Sequence, residues 1–403
     1  MVIRRVLCIF ATVPMLVQGY SVLSHEAIID GAWDIAIRPV LLQRFPSATK
    51  EELLKAHAYA YGGAIMPDLG YYPFGSEFFS DLAHYVRGGD FVENLISQSQ
   101  DLNEYAFALG AAAHYVADSI GHPIAINRAV PMLYPKLRQK FGPIVTYEDS
   151  KAAHLKTEFA FDVAQIAHQR YGPKAYHDFI GFEVSKPVLE RAFAQTYGIK
   201  LSDIVFSVDL AIGTFRFSAS SLIPEMTRVA WVAKKGELER ATPGLTKDKF
   251  VYNLSRSSFE KEWGNEYKRP GIFARILAFL FRILPKVGPL KAFGFEAPTP
   301  ETEKLFMASF NQTIASYRSL LSRIGRGENV KLRNENFDTG KPLSYGSYRL
   351  ADKTFGELVR KLADKTPAAL DPSLKSSIEG FYGKDRPRDR KVAVALSALS
   401  GSE

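Results

Sequence analysis

The chain has 403 residues, 46% hydrophobic and 23% charged, a composition that excludes disorder throughout and leaves room for one large core or two modest ones. Its 51 basic and 43 acidic residues give a net charge of +8, a mild bias that favours phosphate-bearing substrates or anionic membrane without requiring either. The one cysteine, Cys8, lies in an apolar amino-terminal stretch, so no disulfide can staple the fold.

In chain order, Arg4 and Arg5 precede the apolar stretch Val6 to Val17 and the small-residue site Val17-Gln18-Gly19, the pattern of a cleavable signal peptide over residues 1–19. The stretch falls short of the roughly 20 apolar residues that a spanning helix needs. The expected product is a secreted or periplasmic chain beginning at Tyr20. Apolar residues then recur at helical spacing over Glu51 to Ala64, Leu102 to Gly121, Ser150 to Tyr171, Leu201 to Lys234 and Glu301 to Ile324. Strand-like alternation is scarce. The expected fold is all-α: a helical-bundle catalytic core with long loops, the longest between Pro67 and Asp81 and between Pro123 and Glu148. Composition shifts at Pro270 to Phe295 and again after about Gly327. They divide the chain into a core over 20–235, a helical extension over 236–328 and a polar, loosely ordered tail over 329–403.

Histidine is scarce, eight residues in all, and most of it falls at spacings that suit metal ligation. On a helix, residues four apart share a face, so His114, Asp118 and the approach to His122 point the same way. Pro123 biases His122 out of helical geometry and predicts a helix end there. Eight helical residues rise about 12 Å, too far for His114 and His122 to share one tight shell when zinc–nitrogen bonds are about 2 Å. Asp118, midway between them, has two oxygens and can bridge, which points to a cluster of metals instead of one structural ion. His154 and Glu158 repeat the pairing of a nitrogen donor and a carboxylate one turn apart. Asp68, His84 and His25 are the remaining candidates, and each alone is unremarkable.

Taken in order, these residues resemble the bacterial zinc-dependent phospholipases C, whose metal core is similar to that of the zinc-dependent single-strand nucleases. The series is a mature amino terminus and early histidine, an aspartate, a histidine, a His-x3-Asp helix running to another histidine, and a final His-x3-Glu. The resemblance covers residues 20 to about 165. It implies up to three Zn2+ ions: one on Asp68, His84, His114 and Asp118; a second on His122, His154 and Glu158; and a third on His25, the bridging Asp118 and the free amino and carbonyl groups of Tyr20. The chain departs from the family pattern in beginning with Tyr20 where Trp is usual, and in extending well past the core. Only three residues separate Asp118 from His122, a closer spacing that resembles the zinc domain of glycosylphosphatidylinositol-specific phospholipase D.

The activity implied is hydrolysis of phosphodiesters, most directly phospholipids, with a zinc-activated hydroxide attacking phosphorus and Asp68 as general base. Tyr71 and Tyr72, in an aromatic-rich segment, are candidate substrate contacts. Residues 272–284, with Arg275 and Arg282, read as a basic amphipathic helix suited to peripheral membrane contact or to core packing. No obligate protein partner is implied. Two other functions stay open at this point: a single-strand nuclease or nucleotidase, and a non-catalytic, zinc-stabilised binding protein.

Overall fold

A computed structural model describes residues 22–72, 74–167, 183–217, 236, 295–365, 370–383, 385 and 387–400. The proposed signal peptide, Tyr20, the 272–284 segment and much of the 236–328 extension lie outside these residues. The described chain is all-α, its strands reduced to one two-residue antiparallel pair, Glu335–Asn336 with Lys341–Pro342. Among the described residues, no helix is long and apolar enough to cross a membrane.

The first helices are α1 (Val22–Ala32), α2 (Arg38–Arg44), α3 (Lys50–Ile65), α4 (Glu77–Tyr85), α5 (Gly88–Gln98) and α6 (Leu102–Gly121). They are followed by α7 (Asn127–Leu133), α8 (Pro135–Phe141), α9 (Lys151–Ala167), α10 (Lys186–Tyr197) and α11 (Val208–Phe217). The last four are α12 (Pro300–Gly325), α13 (Arg349–Asp364), α14 (Pro372–Tyr382) and α15 (Arg390–Ser400). Local sequence sets several starts. Thr49 and Glu52 form a reciprocal capping box on α3, and Asp101 accepts from the backbone N–H groups of Asn103 and Glu104 to open α6.

The crossing of α3 and α6 organises the molecule. A Cβ on Gly63 would stand 1.9 Å from the Phe107 carbonyl oxygen, and one on Gly110 would stand 2.0 Å from that of Ala60. Only hydrogen at both positions lets the two backbones touch. Around this contact α1 lies against both helices, tied at its start to α9, where Asp162 accepts from Ser24 Oγ at 2.7 Å and from the Leu23 N–H at 3.1 Å. Helix α12 closes the other side: Tyr317 donates to the Leu109 carbonyl at 2.8 Å, and Phe306 stacks on Phe161.

Three expectations are corrected here. The helix does not end at Pro123; it widens into a π-helical segment, His122–Ile126, and continues as α7. Proline clashes with the carbonyl one turn back in an α-helix, and the extra residue of a π turn relieves that clash. The two expected long loops are also mostly helical, holding the 3-10 segment Met66–Tyr71 and the start of α4 in one case, and α7 and α8 in the other. The polar tail carries three helices. Its average composition conceals one-sided patterns such as Ala351, Phe355, Leu358, Val359 and Leu362, all buried in a hydrophobic core continuous from Val22 to Leu399.

Candidate metal centre

Each candidate side chain is placed by an element whose ends or crossings explain its position. The α3–α6 contact sets the His114 ring under the last turn of α3, where Nδ1 lies 2.8 Å from the Ala64 carbonyl. Asp118 follows one turn along α6, and His122 opens the π segment after it. His84, near the end of α4, directs Nδ1 to the Ser80 carbonyl at 2.7 Å. Ser80 also ties the segment that carries Asp68 to α4, accepting from the Gly70 N–H at 2.9 Å and donating to the Pro67 carbonyl. On α9, His154 directs Nε2 to the Val145 carbonyl at 2.6 Å, with Glu158 one turn on.

The structure gathers His25, Asp68, His84, His114, Asp118, His122, His154 and Glu158, none more than 3% exposed, into three groups with donor atoms within 4.8 Å of one another. The groups are His25, His114 and Asp118; Asp68, His84 and His114; and His122, His154 and Glu158. Asp118 lies among all of them: Oδ1 is 3.5 Å from His25, while Oδ2 is 3.1 Å from His114, 3.4 Å from His84 and 3.8 Å from His122. His114 thus belongs to two groups, where the resemblance placed it in one. The remaining predicted ligand, Tyr20, lies outside the described residues. Tyr71 and Tyr72 are each only 4% exposed: Tyr71 approaches Asp81, and Tyr72 sits edge-on to Phe215. Both are packed inside the protein.

The donor set suits a divalent cation. A carbonyl can only accept, so the Nδ1 atoms of His84 and His114 are the donors there, and their Nε2 atoms, 3.1 Å apart, are turned towards each other and towards Asp118. Asp68 Oδ1 and both carboxylate oxygens of Asp118 and Glu158 are buried with no hydrogen-bond donor, an arrangement costly without a compensating charge. Imidazole with carboxylate is a donor combination that zinc accepts.

Electrostatics divide the carboxylates by neighbour. Burial pushes Asp68 well above the usual range, and Asp118 and Glu158 add to the push while His84 opposes it. Asp118 is held well below that range because His114, His84 and His122 outweigh its burial. Burial alone would depress His122, but the carboxylates of Asp338 and Asp118 raise it to about 9.

Sequence reasoning missed the groups behind the ligands. Asp338 lies 3.4 Å from His122 Nδ1, and Phe337 packs edge-on to His84 with its N–H on the His84 carbonyl at 3.2 Å. The only trace in the sequence is the turn-forming run Asn336-Phe337-Asp338-Thr339-Gly340, which signals a bend but not its neighbour.

An all-helical frame brings together three imidazole–carboxylate groups, each of which could hold a metal ion. Residues 24–203 match the zinc-dependent phospholipase C family, and all eight gathered side chains lie within that span. This part of the chain is thus similar to the zinc-dependent phospholipases C. No curated protein and no solved structure matches the chain.

Proposed function

We propose that the chain is an exported zinc phosphodiesterase that cleaves phospholipids in the manner of a phospholipase C. The observation that carries this reading is the convergence of eight buried ligands, in three groups, within the family-matched residues. Zinc on these groups supplies a water acidified towards neutrality and positive charge against the phosphate oxygens. His84, His114 and His154, each fixed by a main-chain carbonyl, hold their other ring nitrogens in place without rearrangement. Asp68 is the general base: one oxygen faces the His84 group, and the second takes the proton of the attacking water. Burial excludes competing water from this exchange. The basic and apolar residues of 1–19 support export, and the basic, apolar sequence of 272–284 supports membrane contact.

A second reading, a zinc-stabilised protein that hydrolyses nothing, is favoured by the near-complete burial of every ligand. The two separate in one assay of the secreted full-length protein against phosphatidylcholine vesicles, a bis-aryl phosphodiester and single-stranded DNA, with and without chelator. Release of diacylglycerol that the chelator abolishes is the expected result. Cleavage of DNA with the lipid untouched would make the protein a nuclease. Retained zinc with no turnover of any substrate would establish the structural reading.

A further inference from the structure

Three of the clustered histidines are oriented by main-chain carbonyls: Ser80 for His84, Ala64 for His114 and Val145 for His154. Substitution at the acceptor position leaves such a carbonyl in place. His122 is arranged differently. Its Nε2 is turned towards Asp118 at 3.8 Å, while Nδ1 lies 3.4 Å from Oδ1 of Asp338, a residue well beyond the family-matched span. We propose that Asp338 is a positioning residue for the group formed by His122, His154 and Glu158, and that the carboxy-terminal segment carrying it is a working part of the metal centre. The inference rests on the zinc reading given above.

The surroundings of Asp338 are built to aim it. Its Oδ2 accepts from the Tyr348 hydroxyl at 2.6 Å and from the Tyr147 N–H at 2.9 Å. Its own N–H donates to Asn336 Oδ1 at 2.8 Å, and its carbonyl accepts from the Asn127 side chain at 2.6 Å. These contacts hold the main chain and one carboxylate oxygen, while buried Oδ1 is left facing the His122 ring, 3.4 Å from Nδ1. A carboxylate there favours the hydrogen on Nδ1, and the lone pair on Nε2 is then presented on the side of the cluster. Asp338 stands at the opposite ring nitrogen, so it orients and polarises the imidazole without binding the ion itself.

The segment is seated to keep this aim. Phe337 packs 5.6 Å from the His84 ring and 5.3 Å from that of Tyr115. Gly340 takes φ +63°, and a Cβ there would stand 2.9 Å from the Ser119 carbonyl oxygen, between Asp118 and His122. The turn therefore lies directly on the helix that carries both ligands.

The test is zinc affinity by chelator competition on the full-length protein, comparing wild type with Asp338→Asn, Tyr348→Phe and His122→Ala. Asp338→Asn is expected to weaken one zinc per chain by about 10- to 100-fold and leave the others unchanged. That zinc is the one lost in His122→Ala, and adding Asp338→Asn to His122→Ala is expected to change nothing further. Tyr348→Phe keeps the carboxylate but frees Oδ2, and it is expected to weaken the same zinc by a smaller factor. This variant decides the matter should Asp338→Asn fail to fold. Wild-type affinity for every zinc in a folded Asp338→Asn or Tyr348→Phe protein would overturn the proposal. So would uniform weakening of all zincs with a lower melting temperature in chelator, which is the mark of a purely structural role. A wild type that binds no zinc would instead overturn the metal reading on which the proposal rests.

Discussion

Replacing His114 with alanine is expected to disable two of the three metal groups at once and to reduce phosphodiester hydrolysis at least about a thousandfold. His114 is shared by the group with His25 and Asp118 and by the group with Asp68 and His84, so its loss leaves each with two side chains. Forfeiting even about 4 kcal/mol of the charge stabilisation that metal ions supply corresponds to that rate loss. Stability should suffer too, because the Ala64 carbonyl loses its buried donor, at about 1–3 kcal/mol. Bound zinc by elemental analysis, beside initial rates on a bis-aryl phosphodiester, checks both effects. His57→Ala is the control, since His57 stacks on Trp33 and belongs to none of the groups. Full zinc and undiminished turnover in the His114 variant would remove His114 from the centre.

The second large effect is expected far from any ligand, at Gly110→Ala. The added methyl would meet the Ala60 carbonyl oxygen at 2.0 Å, and rigid helix backbone cannot yield as a side-chain tip does. Helices α3 and α6 must separate, at about 3 kcal/mol, which lowers the melting temperature by roughly 6–12 °C. The same separation draws the Ala64 carbonyl away from His114, so zinc affinity is expected to fall although every ligand is intact. Thermal melts in the presence and absence of chelator distinguish the two contributions. An unchanged melting temperature would mean that the crossing is looser than described.

The gathering of these eight side chains was legible in the sequence because metal chemistry constrains residue type and spacing together. His114 and Asp118 one turn apart, and His154 and Glu158 again, announce themselves on a periodic helix. The argument from helical rise, which placed His114 and His122 in different shells, agrees with their separate groups. What stayed hidden depends on long-range packing. Pro123 carries the ordinary signal of a helix end, and nothing local indicates that a π turn absorbs it. Tyr71 and Tyr72 read as candidate substrate contacts in a loop, yet the segment folds into a 3-10 turn that buries them. Asp338 lies in a polar stretch without periodicity, more than 200 residues from the ring it faces, and no spacing rule reaches so far.

That distance also explains why the carboxy-terminal residues matter to the centre. The buried faces of α13 and α14 join the same core as the ligand helices, so the turn at 336–340 is held from both sides. Main-chain orientation of His84, His114 and His154 is not removed by changing the side chains of the residues that supply the carbonyls. The orientation of His122 depends on a side chain and is the most exposed to mutation.

The most direct measurement is the zinc content of the purified, secreted full-length protein, by elemental analysis on chain concentration determined independently. The account predicts close to three zincs per chain, released by chelator together with a fall in melting temperature. One zinc or none, with the chain folded and unchanged by chelator, would contradict it.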